Sequence, residues 1–137
     1  MEIPKEYDPL FIFPSGEKLK SKILIDELFS KGSSFFIYPF KCWYHKSGKP
    51  ETNPLFLTGV PKKSFKKAVD RNYMKRCVRE AYRLHHRKEA LTYAKGYSIG
   101  IVYVGKEKMS YKDIEKKLNV VFNRYIEDIN RAEKSSL

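Results

Sequence analysis

No glycine or proline interrupts the chain between Pro61 and Gly96. A stretch that long without a breaker favours a helix, here reading from about Lys66 to Lys88. At about 100° per residue, Val69, Tyr73, Met74, Cys77, Val78, Glu80, Ala81 and Leu84 fall on one half of its circumference. Arg71, Asn72, Lys75, Arg76, Arg79, Tyr82, Arg83 and His86 fill the other half. The first set needs a core to pack on, so Leu84 is expected to be buried, and the second set needs water or a partner.

The charge on that second half decides between these. From Lys62 to Lys88 there are eleven Lys or Arg and two acids, Asp70 and Glu80, so the segment holds +9 of a net +12. Solvated helix faces usually alternate sign to gain i,i+4 pairs, whereas Arg71, Lys75 and Arg79 repel one another at one-turn spacing. Clustering that costs stability points to an anionic partner, and cations at this spacing can track phosphates. Asn72 adds a donor and an acceptor suited to a base edge or a 2′-OH. The helix face is therefore a candidate nucleic-acid surface.

The remaining elements follow from breakers and periodicity. Residues 1–14, with Pro4, Pro9 and Pro14, are expected to be extended and partly disordered. A helix capped by Ser15 is expected to run to Lys31 and stop at Gly32, with Leu24 and Leu28 buried and Ile25 and Phe29 along one edge. Phe35 to His45 reads as strand, broken at Pro39. Alternation puts Phe40, Cys42 and Tyr44 on one face and Lys41, Trp43 and His45 on the other. A turn at 46–53 leads to a strand at Leu55–Val60, and Tyr97–Val104 reads as a central strand. Ser110 caps a last helix with Ile114, Leu118, Val121, Phe122, Tyr125 and Ile129 in one stripe. The order is αβββαβα, an α+β fold with one sheet packed by helices. A single domain at 15–132 is expected, followed by a short tail at 133–137.

Several function classes lose support. No apolar run approaches a membrane span, and the first residues lack the basic and apolar regions of a signal peptide. Cys42 and Cys77 are not spaced as metal ligands, and His85 and His86 are adjacent. The chain therefore reads as cytoplasmic with reduced thiols, no membrane partner, no metal site and no cofactor of its own. Acids are scattered rather than paired, and no Gly-rich phosphate loop is present, so no catalytic residue is assigned. Residue chemistry alone reaches an RNA-binding protein without catalytic groups.

The string K-A-V-x-R-N-x-x-K-R-x-x-R-E, Lys67 to Glu80, resembles the signature helix of the bacterial ribonuclease P protein family. Leu19, Leu28, Phe29 and Gly32 upstream, and Val60, Lys62 and Lys63 before the helix, extend the resemblance over about Lys18 to Ile129. Two positions depart from it. Tyr73 stands where the family's triplet usually ends in Arg, and bulkier residues replace a common Gly within Ser64–Lys67.

The resemblance implies a fold like domain 2 of ribosomal protein S5, with a left-handed βαβ crossover through the basic helix. It implies the protein subunit of a ribozyme that removes the 5′ leader from precursor tRNA, with hydrolysis carried by Mg²⁺ held through the catalytic RNA. Lys62, Lys63, Arg71, Asn72, Lys75, Arg76, Arg79 and Arg83 would bind the catalytic RNA. Ile25, Phe29, Lys41 and Trp43 would bind the single-stranded leader, although Ile25 cannot stack as the family's usual Phe would. A ribosomal or RNA-chaperone protein would use the same basic helix, and would copurify with ribosomal RNA. A protein-only nuclease would cleave without RNA.

Overall fold

In a computed structural model the described residues are 17–135. The expectations for residues 1–14 and for Ser15 lie outside them. The elements are α1 (Lys22–Lys31), β1 (Ser33–Ile37), β2 (Phe40–Lys46), β3 (Leu55–Gly59), α2 (Ala68–Ala81), a π turn (Tyr82–His86), α3 (Arg87–Tyr93), β4 (Tyr97–Tyr103) and α4 (Tyr111–Ser135). This is the expected α+β order, with the basic helix divided in two by the π turn. The four strands form one sheet in the order β1-β2-β4-β3. β1 pairs antiparallel with β2, β2 pairs antiparallel with β4, and β3 runs parallel to β4. The parallel pair is joined through α2 and α3.

The sheet's two faces are unlike. Phe35, Phe40, Cys42, Phe56, Ile99, Ile101 and Tyr103 point into the core, where α2 and α4 pack. Ile114, Leu118, Val121, Phe122, Tyr125 and Ile129 are fully buried, as the helical stripe predicts. Burial of each such side chain contributes about 1.5–3 kcal/mol. Ser110 Oγ accepts from Asp113 N at 3.2 Å, the expected cap. The helix runs past 132, because Glu133 accepts from Tyr97 Oη at 2.8 Å and meets Lys46 Nζ at 3.1 Å. The expected tail is thus partly helix, pinned to β2 and β4.

On the opposite face α1 crosses β2 and β4. Its N-cap is Ser21, whose hydroxyl accepts from Leu24 N at 3.4 Å. The helix starts later than expected because residues 17–19 have long-range partners. Glu17, nearly buried, accepts from Arg87 Nε at 2.8 Å and Nη2 at 2.7 Å. Leu19 N donates to Phe56 O at 3.0 Å, laying the segment along the free edge of β3. Leu28 is fully buried, and Leu24 only partly. α1 sits closely over Gly100: a Cβ there would lie 2.9 Å from Leu28 Cδ2, so that side chain would have to shift.

The basic helix is rotated from its expected orientation. Met74, Cys77, Val78, Ala81 and Tyr82 have no exposure, whereas Val69 is 70% exposed and Leu84 is half-buried. The inward face is centred nearer Met74 and Ala81 than the apolar count suggests. At the π turn Arg87 N reaches Tyr82 O, an i→i+5 bond. The wider turn slows rotation per residue, bringing His86 inward and leaving Leu84 at the edge. Tyr82 stacks on Phe56 at 4.2 Å and 4°, and His86 stacks on Phe122 at 4.5 Å and 7°.

Candidate nucleic-acid interface

The first candidate surface begins in the loop before α2. Ser64 N donates to Pro61 O at 3.0 Å, closing a turn that leaves Lys62 and Lys63 exposed. Arg71, one turn into the helix, donates from Nη1 to Phe65 O and Lys66 O, both at 2.8 Å. Its guanidinium thus clamps the loop to the helix. Asp70 pairs with Lys108 Nζ at 2.6 Å, which joins the β4–α4 loop to the same end of α2.

Along α2, Asn72, Arg76 and Arg79 are exposed and Lys75 is half-buried. Partial desolvation, and then the Arg76 charge, hold Arg79 below its ordinary pKa. Cations are crowded here as the spacing predicts, and an anion laid across them would relieve the repulsion. Arg83 is placed differently. Its Nε donates to Glu80 Oε2 at 3.2 Å, and Nη2 pairs with Oε1 of the same carboxylate. Glu80 is 2% exposed, so Arg83 neutralises a buried acid that the helical wheel placed on the apolar half. Tyr73, the departure from the family triplet, packs partly into the core with its hydroxyl against the Cys77 thiol.

The second surface lies on the sheet face that α1 only partly covers. The register sets Trp43 opposite Gly100 and Lys41 opposite Val102. Phe29, 39% exposed, meets Trp43 edge to face at 4.7 Å. Lys41 Nζ lies 5.2 Å from the Trp43 ring centre. Ile25 sits half-buried one turn before Phe29. The four residues expected to act together thus lie along α1 and the outward face of β2. His45 continues that face, with Nε2 3.9 Å from Glu27 Oε2. Phe36, opposite Lys41 across the β1–β2 pair, extends it on the other side and is 56% exposed. Phe36 escaped the sequence reading, although a hairpin symmetric about Tyr38 and Pro39 places it there.

Neither surface carries a poised nucleophile. Burial pushes the Cys42 thiol up to about 12, partly offset by Tyr125, and burial likewise raises Cys77. The buried acids Glu17 and Glu80 are each held by an arginine. No helix among the described residues is long and apolar enough to cross a membrane. What the two surfaces offer is guanidinium, ammonium, amide and aromatic groups, which bind phosphates and bases.

The family model described as Ribonuclease P matches residues 13–126. The chain belongs to the ribonuclease P protein family. A relative from Porphyromonas gingivalis, the ribonuclease P protein component, is 32% identical over 114 residues, covering 80% of this chain and 83% of its own. The corresponding component of Chlorobaculum tepidum is 35% identical over 91 residues, covering 64% of this chain and 58% of its own. The fold matches the RNase P protein of Thermotoga maritima with a TM-score of 0.65 at 26% identity, over 79% of this chain and 96% of that one. It matches the Staphylococcus aureus RNase P protein with a TM-score of 0.65 at 21% identity, over 80% and 94%. The ribonuclease P family match includes both candidate surfaces and ends within α4, so the Glu133 contacts lie beyond it.

Proposed function

We propose that this chain is the RNA-binding subunit of ribonuclease P, assisting a catalytic RNA in removing the 5′ leader from precursor tRNA in the cytoplasm. Family membership carries the coarse reading. The observation that supports division of labour is the separation of two unlike surfaces, a crowded cationic helix and an aromatic cleft across the sheet. Lys62, Lys63, Asn72, Lys75, Arg76 and Arg79 bind the catalytic RNA through phosphates and one polar base or ribose contact. Arg71 contributes chiefly by fixing the Lys62–Lys63 loop, and Arg83 by neutralising Glu80 beside that surface. Ile25, Phe29, Lys41 and Trp43 receive the leader, with unpaired bases stacking on the rings and Lys41 meeting phosphate.

Hydrolysis falls to Mg²⁺ held by the RNA. On the cationic surface the carboxylates that could hold Mg²⁺ are already ion-paired. Asp70 is paired with Lys108, and Glu80 with Arg83. The test is cleavage of precursor tRNA by a bacterial catalytic RNA at low Mg²⁺, with and without this protein. Restored cleavage at the mature 5′ end is expected, with none by the protein alone. No restoration, or cleavage by RNA-free protein, would overturn the reading.

A further inference from the structure

The outward sheet face carries more aromatic surface than the cleft accounts for. Phe36 and Tyr38 are 56% and 64% exposed, and their rings lie 6.3 Å apart. Phe35 and Ile37 on the same strand pack on the core, so exposure of Phe36 follows from its face rather than from fraying of β1. Phe36 pairs across the strands with Lys41, which stands over Trp43, which in turn meets Phe29. The result is a line from Phe29 through Trp43, Lys41 and Phe36 to Tyr38. α1 covers the Gly100 end of that face and leaves the Phe36 end open.

The far end offers Lys106 to a phosphate, beside Glu107 and the ion-paired Lys108. Val104 N donates to Pro39 O at 2.8 Å, so the turn after Tyr38 abuts the loop that carries Lys106 and Lys108. Both lysines are exposed, and Lys108 reaches the start of α2 through Asp70. Exposed rings on an edge strand invite aggregation, a cost that a stacking ligand would offset.

We propose that Phe36 and Tyr38 extend the single-strand track beyond Trp43, so that leader nucleotides past the cleft stack along the β1 edge. The inference rests on the leader reading above and adds a second stretch of RNA to it. Bases stack on aromatic rings with little regard to sequence, so the extension reads leader length rather than leader sequence.

The test is affinity of the assembled holoenzyme for precursor tRNAs whose leaders are lengthened one nucleotide at a time. With the wild-type chain, affinity should go on rising after the nucleotides that reach Trp43 are present. Phe36→Ala should remove that later gain, about fivefold or more at full length, and leave the shortest leaders unaffected. Phe36→Tyr should restore it, and the salt dependence should be unchanged, because no charge is lost. Loss already complete with the shortest leader, or no loss at any length, would overturn the extension while the cleft stands. No gain from any leader in the wild type would instead overturn the leader reading itself. Sedimentation of the free protein covers the other use of an exposed edge. A dimer dissociated by Phe36→Ala, without any leader effect, would assign the stripe to self-association and overturn the proposal.

Discussion

Phe29 and Trp43 meet edge to face, with ring centres 4.7 Å apart and planes at 82°. The contact joins α1 to β2 across the open sheet face and sets the angle at which Trp43 is offered to solvent. Edge-to-face pairs contribute about 0.5–1.5 kcal/mol beyond their burial. Phe29→Ala should therefore lower holoenzyme affinity for precursor tRNA by about twofold to tenfold, with mature tRNA unaffected. Ile25→Phe should act in the opposite sense by adding a ring beside Phe29. Filter binding of both tRNAs checks the pair, and equal losses for the two tRNAs would place Phe29 outside the cleft.

Arg71 clamps two carbonyls of the loop that carries Lys62 and Lys63. Wild-type affinity for the catalytic RNA should fall by about 10²–10³ between roughly 50 and 200 mM salt if Lys62, Lys63, Lys75, Arg76 and Arg79 meet phosphate. Losing one phosphate contact reduces the logarithmic salt slope by about 0.7–0.9. Arg71→Ala should reduce it by roughly two to three times that amount, because the loop lysines lose their placement with it. A reduction of a single step would make Arg71 an ordinary phosphate contact.

Glu80 depends on Arg83 for its neutralisation. Arg83→Ala should cost about 1.5–3 kcal/mol in urea unfolding, the scale of a charge-assisted hydrogen bond at a site partly open to water. Arg79→Ala, on the exposed face, should stay within about 0.5 kcal/mol. Adding Glu80→Gln to Arg83→Ala should recover most of the loss. Equal stability losses for Arg79→Ala and Arg83→Ala would contradict the pairing.

These cases show which parts of the fold were legible in the chain. The α4 stripe and the alternation of β2 depend on nearest-neighbour geometry, and local sequence carries them. The far end of the basic helix is not legible in that way, because the π turn at Tyr82–His86 departs from a uniform helical count and brings His86 inward. Glu17 answers to Arg87, seventy residues away, and so the start of α1 moves from Ser15 to Ser21. In the candidate site, residue types marked the cationic face and the aromatic cleft. They could not separate Arg71 and Arg83, whose guanidinium groups are committed within the protein, from Arg76 and Arg79 on the exposed face.

His86 supplies a pH test. Burial, and then the His85 charge, lower its pKa from 6.5 to about 4, opposed in part by a hydrogen bond with Asn119. The unfolded chain therefore binds a proton in a range where the native state does not. The contribution is present above about pH 6.5 and is lost as pH falls through 4. Across that window the wild type should lose up to about 3 kcal/mol relative to His86→Phe, which keeps the stack on Phe122. Urea unfolding at a series of pH values measures the difference, and parallel curves for the two proteins would place His86 in water.

The most direct measurement uses Trp43, the single tryptophan of the chain, whose emission reports on the proposed leader cleft and nothing else. Holoenzyme assembled with catalytic RNA is titrated with precursor tRNA and, separately, with mature tRNA, under excitation selective for tryptophan. Precursor tRNA is expected to quench Trp43 with a midpoint matching its binding affinity, and mature tRNA to leave the emission unchanged. Equal quenching by both, or none by bound precursor, would contradict the assignment of the α1–β2 face to the leader.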